Sequence, residues 1–141
     1  MTIPIDWEGI ALPVSHTLLD ILSQEIAHAG HDLACCTALT FHFRNPTYNQ
    51  ATGGVHPVEM RLIRKAARWR FDYITDFSYQ GLGQYAALCR ELDFNLLSGK
   101  HALQGWGPLP MTDASELFTL WQSNFITYAQ LEFFNVIVSK E

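Results

Sequence analysis

Charge is scarce in this sequence of 141 residues: Asp, Glu, Lys and Arg together make up 16%, against about 25% in an ordinary soluble domain. That scarcity excludes a disordered chain or an acidic tail, both of which need many charges and few apolar groups. Basic residues are fewer still, nine against fourteen acids, for a net charge of −5. The overall field therefore opposes phosphate, which excludes a basic nucleic-acid coat. Cysteine is limited to Cys35, Cys36 and Cys89, an odd count that does not read as a disulfide framework. Reduced thiols fit a cytoplasmic protein. No run approaches the roughly 18 apolar residues of a membrane helix. Met1 to Trp7 holds one acid, Asp6, and no basic stretch before an apolar run, so a secretory leader is not expected. Glycine is not arranged as a phosphate loop or a dinucleotide fingerprint, and no Gly-x-Ser-x-Gly elbow is present. The sequence is therefore expected to use no cofactor, and it leans away from an enzyme.

What is present is apolar mass: 48% hydrophobic and 13% aromatic residues. A chain of this length holds one domain, residues 1–141, with a core that needs neither disulfide nor metal. The surplus of aromatics also suits a sticky interface.

Two helices are legible. After Ser15 as N-cap, Leu18, Leu22, Ile26 and Ala29 recur at helical spacing and Gly30 ends the run, which predicts a helix over 16–29. Thr112 or Asp113 is expected to cap a second helix, Glu116 completing a capping-box pattern with Asp113, and Leu117, Leu120, Trp121, Phe125 and Tyr128 make an apolar stripe behind it. Asn124 falls in that stripe and is expected to bond to a strand backbone, or failing that to wall a pocket.

Strands alternate with period two. Leu39, Phe41 and Phe43 share a face opposite Thr40, His42 and Arg44; Val58, Met60 and Leu62 alternate with Glu59, Arg61 and Ile63. Trp69 through Tyr79 is read as one uninterrupted alternation, with Arg70, Asp72, Ile74, Asp76 and Ser78 on its outer side. Tyr85 to Glu91 is predicted as a short helix with Cys89 toward the core. Asp93–Leu97 and Ala102–Trp106 form a small hairpin, and Phe134, Val136 and Val138 a last strand. The result is an α+β domain: an antiparallel-rich sheet of about five to six strands with two main helices packed on one face.

Long phrases carry a resemblance. They are Leu39-Thr40-Phe41-His42-Phe43-Arg44-Asn45-Pro46 with Tyr48, His56-Pro57-Val58-Glu59, Phe71 through Tyr79, and Leu120-Trp121-Gln122-Ser123-Asn124-Phe125. Together they resemble a gammaproteobacterial domain-of-unknown-function family, number 2787, found in part on mobile genetic elements. The resemblance runs from Leu12 to the end. It implies a bacterial, cytoplasmic, single-domain protein, and it carries no catalytic residues across.

Candidate sites come from the residues themselves. His42, Arg44, Glu59 and Asp72 are expected on the polar sheet face, with Tyr48 and His56 from the loop Asn45–Pro57 beside them. Histidine near carboxylates can move protons and arginine can hold an anion; the plain alternative is a solvated face with charges paired across strands. Arg61, Arg64, Lys65, Arg68 and Arg70 crowd one hairpin and are candidate anion contacts, though the net acidity disfavours nucleic acid. His28, His31, Cys35 and Cys36 are zinc-type ligands in a spacing that fits no standard framework, so no metal is expected there. The leading expectation is a non-enzymatic binding or interaction module, a homodimer or a binder of an unidentified protein, accessory to a mobile element. The alternative is a small-molecule site for an anionic ligand, enzymatic or not, on the polar face and loop.

Overall fold

The structure is a computed structural model that describes residues 12–30, 33–81 and 86–141. In chain order it holds α1 (His16–Ala29), β1 (Ala38–Arg44), β2 (Val58–Lys65), β3 (Arg68–Gln80), β4 (Ala87–Asn95), β5 (Lys100–Leu103), β6 (Gly107–Leu109), α2 (Met111–Gln130) and β7 (Asn135–Lys140). The strands form one seven-stranded sheet in the order β6-β5-β4-β3-β2-β1-β7, every pairing antiparallel. The α+β reading holds with more strands than expected. Among the described residues no helix is long and apolar enough to cross a membrane.

Helix α1 starts where Ser15 accepts the Leu18 amide at 3.2 Å and stops where Gly30 takes φ +68°. Its stripe of Leu18, Leu22 and Ile26 is buried. Helix α2 begins two residues before the expected capping box; Pro110 is its N-cap and provides no side-chain bond. Asp113 lies in its first turn, where a carboxylate suits the helix dipole. Both helices join one core with the inward residues of the sheet, including Leu39, Phe41, Phe43, Met60, Leu62, Ile74 and Phe94. The opposite sheet face carries no helix among the described residues.

Two β-bulges correct the expected alternation. In the β2–β3 pair Arg61 faces Tyr73 and Leu62 faces Phe71, so Asp72 has no residue opposite it. Past that point the faces exchange: Ile74 is fully buried and Asp76 8% exposed, on the helix side, not the outer side. In the β3–β4 pair Asp76 faces Leu92 and Phe77 faces Arg90, leaving Glu91 as the extra residue. A bulge re-aims its side chain and sharpens the twist. The segment expected to be a short helix ending at Glu91 is strand β4 from Ala87 onward, and Tyr85 lies outside the described residues. Cys89 is half-buried on that strand.

The buried amide of α2 is Gln122, not Asn124. Gln122 is 6% exposed, accepts the Ser15 amide at 2.9 Å and donates to the Pro13 carbonyl at 3.1 Å. It ties the start of α1 to α2.

His101 on β5 is 2% exposed, and neither ring nitrogen has a hydrogen-bond partner among the described residues. Burial lowers its pKa below 6.5, partly opposed by Asp93. A histidine with a lowered folded pKa binds fewer protons in the native state than unfolded, so its penalty is absent above pH 6.5 and grows as pH falls through that value. Removing an unpaired buried polar group in favour of an apolar one of similar size stabilises by about 1 kcal/mol. His101→Leu is therefore expected to raise the unfolding free energy at pH 7.5, and to raise it further at pH 5.5. Urea titrations of both proteins at the two pH values check this; a constant difference between them would refute the buried-histidine account.

Candidate functional site

The loop between β1 and β2 is tied by its own side chains. Asn45 Oδ1 accepts from the Thr47 amide at 2.8 Å, and Asn49 Oδ1 accepts from the amides of Ala51 and Thr52 at 2.8 and 2.9 Å. Gly53 at φ +71° and Gly54 at φ +128° turn the chain back, and a Cβ on Gly54 would sit 3.6 Å from the Tyr48 backbone. Tyr48 fastens the loop to the sheet. Its ring stacks on Tyr79 at 5.4 Å, its hydroxyl accepts the Tyr79 amide at 3.0 Å, and its edge meets His56 at 5.4 Å.

Two clefts lie on either side of this loop. The first is on the open sheet face, encloses about 310 Å³, and is lined by His42, Arg44, Tyr48, Glu59, Pro57, Phe77, Tyr79 and Leu88 among others. His42 and Glu59 stand in register on β1 and β2, with Nδ1 3.2 Å from Oε1. The other Glu59 oxygen accepts a hydrogen bond from the Tyr73 hydroxyl. Burial, then this bond, pushes the Tyr73 pKa up. Glu59 is thus engaged on both oxygens. The Arg44 side chain is exposed and has no hydrogen bond or ion pair among the described residues.

The second cleft, about 180 Å³, lies toward α2 and is lined by Gly54, His56, Asp76, Trp121, Asn124 and Tyr128 among others. His56 Nδ1 lies 2.7 Å from Asp76 Oδ1 and 3.0 Å from Glu91 Oε2. The indole of Trp121 donates to the second oxygen of Asp76 at 2.9 Å. The bond to Asp76 raises the His56 pKa above 6.5, against an opposing contribution from burial. One ring nitrogen and two carboxylate oxygens thus converge within 4.8 Å of one another. A set of that kind can hold a proton or a cation.

Four of the expected site residues, His42, Arg44, Tyr48 and Glu59, meet in the first cleft. His56 is in the second, touching Tyr48 from behind. Asp72 lines neither of these two; it is 2.7 Å from Arg61. Asp76 and Glu91 were not expected beside His56. Asn124 takes the pocket-wall role, at the exposed rim of the second cleft.

The basic hairpin is largely committed to the fold. Arg61 bridges Asp72 and Glu141, at 2.7 and 2.9 Å. Arg64 donates to the carbonyls of Leu33, Ala34 and Cys36. Lys65 and Arg68 are exposed at the turn and Arg70 is half-buried. Of the suggested zinc ligands, His28 and Cys35 are exposed, Cys36 is buried, and His31 lies outside the described residues. Cys35 ends a 3-10 turn, Leu33–Cys35.

Comparison with known proteins supplies the setting. The family model for proteins of unknown function, DUF2787, matches residues 16–139. A hypothetical protein of the VSP-II pathogenicity island of Vibrio cholerae is similar in structure, with a TM-score of 0.90 and 34% identity over 99% of this chain and 100% of that one. A conserved hypothetical protein of pathogenicity island VPI-2 of Vibrio cholerae is similar with a TM-score of 0.79 and 30% identity, over 92% of this chain and 97% of that one. That second protein is described as sharing structural homology with the human P32 protein. A search of the curated proteins finds no match.

Proposed function

The chain belongs to the DUF2787 family of proteins of unknown function, and within that frame we propose that it is a non-enzymatic binding module that takes an anionic, partly apolar group in the open-face cleft. The observation that carries this reading is Arg44. It stands at a half-enclosed cleft of about 310 Å³ whose walls include Phe77, Tyr79 and Leu88, and it has no carboxylate partner among the described residues. A guanidinium presents a planar fork suited to a carboxylate or phosphate. Apolar walls with a few placed polar groups are the ordinary composition of a ligand pocket, and about 300 Å³ is the lower end of the usual size.

His42 and Glu59 pair with each other at the same wall, which supports recognition more than proton transfer. The cleft lining includes no serine, threonine or cysteine to act as a nucleophile. The committed state of Arg61 and Arg64 weighs against nucleic acid as the occupant.

The anionic group can belong to a free small acid or to a segment of a partner protein, and the test separates them. Amide chemical shifts are followed while phenylacetate, and separately an acidic peptide containing phenylalanine, is added. Shifts at Arg44, Tyr48 and Phe77 are expected, with Arg44→Ala weakening the response at least tenfold, about 1.4 kcal/mol, and Lys65→Ala leaving it unchanged. A response to phenylacetate alone marks a small-molecule site; a stronger response to the peptide marks a protein partner. No shift in this cleft with either probe, or equal affinity in Arg44→Ala, overturns the reading.

A further inference from the structure

We propose that His56, Asp76 and Glu91 form a binding site for one divalent first-row transition metal, of the zinc or manganese kind. The three residues come from separate elements: the loop before β2, the middle of β3 and the bulge of β4. Their convergence is therefore a product of the tertiary fold, not of local sequence.

The geometry suits an ion at the point where the three side chains meet. Nδ1 of His56 is 2.7 Å from Asp76 Oδ1 and 3.0 Å from Glu91 Oε2, and all three ligand atoms lie within 4.8 Å of one another. Ligands at about 2.1 Å from a tetrahedral zinc stand about 3.4 Å apart. Moves of roughly 1–1.5 Å by the half-exposed His56 and Glu91 side chains would reach that spacing. The chemistry is equally specific. One imidazole nitrogen with two carboxylate oxygens is a borderline ligand set, which favours zinc, manganese or ferrous ions over calcium or cuprous ions. With a neutral imidazole the two carboxylates carry two negative charges, which one divalent ion neutralises.

Two further features point the same way. Glu91 is the extra residue of β4, so its side chain is freed from strict alternation with Leu92 on the core face. Trp121 holds the far oxygen of Asp76 at 2.9 Å, which fixes the orientation of a ligating carboxylate as outer partners do in metal sites. The neighbouring cleft of about 180 Å³ leaves His56 and Asp76 accessible from the side of Asn124, so a fourth coordination position is open to water or to a ligand. The side chain of Asn124 has no hydrogen-bond partner among the described residues and stands at that rim. The site is separate from the Arg44 cleft, and its test does not depend on that reading.

The experiment is calorimetric titration of Zn²⁺ into the whole chain in a non-coordinating buffer, with the exposed Cys35 replaced by serine. One ion per chain and a rise in melting temperature are expected. His56→Ala and Glu91→Gln are each expected to weaken binding at least tenfold, while His28→Ala leaves it unchanged. Glu91→Gln keeps the size of a partly exposed side chain, so its loss of affinity cannot be assigned to unfolding; the melting curve of the metal-free variant confirms that. Absence of binding up to about 1 mM, a free energy of about −4 kcal/mol, overturns the proposal. So does zinc affinity that survives both substitutions.

Discussion

Phe118→Ala is expected to lower the unfolding free energy by about 3–5 kcal/mol, the range for emptying an aromatic from a packed interior. Phe118 has no exposed surface. Its ring meets Phe94 edge-on at 5.1 Å and Trp121 at 5.9 Å. It therefore joins α2 to β4 at the middle of the core, and β4 belongs to the side of the sheet remote from α1. A domain of this size has only about 5–15 kcal/mol in total, so the variant is left marginal. Urea unfolding followed by tryptophan fluorescence should show the midpoint falling by about 2 M. Phe118→Leu keeps most of the volume and is expected to cost about 1 kcal/mol. Equal, small effects from both would show that α2 does not seat on β4.

The aromatic chain through the core explains why that one ring matters beyond its own contacts. Trp121 stacks on Phe125 at 5.2 Å, Phe125 meets Phe43 edge-on at 4.9 Å, and Phe43 meets Phe134 at 5.6 Å. A void at Phe118 is expected to loosen Trp121 first, and Trp121 holds Asp76.

The helices and the first hairpin were legible because their residues obey one period from end to end. Leu18, Leu22 and Ile26 sit at i, i+4 and i+8 between a serine cap and a left-handed glycine, and the helix has the expected limits. Leu39, Phe41 and Phe43 are buried as their alternation requires. The facing of the second half of β3 and the part of β4 before Asp93 were not legible, because a bulge shifts the period by one residue and period-two reasoning cannot see it. The trace in β3 is faint: Trp69 and Phe71 are in phase, but the next wholly buried apolar residue is Ile74, out of phase. In β4, Leu88 and Leu92 look in phase, yet Leu88 is exposed opposite Tyr79 and Leu92 is buried opposite Asp76.

The same shift decided what could be foreseen of the sites. His42, Arg44 and Glu59 lie before either bulge, and with Tyr48 they meet as expected. His56 was singled out with Glu59 and Asp72 as its acids. Its actual partners are Asp76, which the first bulge carries to the helix side, and Glu91, which is itself the extra residue of the second. Chemistry at His56 was thus readable from residue type, and its partners were not, because they depend on register. Asn124 and Gln122 were confused for a related reason. They are two positions apart on α2, about 200° around the helix axis at 100° per residue, and only one of them can face α1.

Asp76→Ala, studied in the presence of a chelator, is expected to cost about 3 kcal/mol at pH 6 and less at pH 9. The carboxylate is nearly enclosed, with 11% of its side chain exposed, and accepts from both His56 and the buried indole of Trp121. Its removal leaves the indole N–H unpaired, at about 1–3 kcal/mol. It also breaks a largely buried charge pair, where the usual cost is about 3–5 kcal/mol; water can reach the half-exposed imidazole, so the combined effect falls at the low end. The pH dependence follows from His56. Its folded pKa is raised by Asp76, with Glu91 the second acid facing the ring, so its stabilisation is complete below pH 6.5 and is lost as pH rises through the folded value. Asp76→Asn retains an acceptor for Trp121 and is expected to lose about half as much. The cycle of Asp76→Asn with Trp121→Phe should give a coupling energy of about 1 kcal/mol or more, whereas additive effects would show that the indole does not hold the carboxylate. Because His56 is the loop's link to Asp76, amide exchange at Gly53 to His56 should quicken in Asp76→Ala while Tyr48, still stacked on Tyr79, remains protected. That pattern would show that the loop has two independent fastenings, one at each cleft.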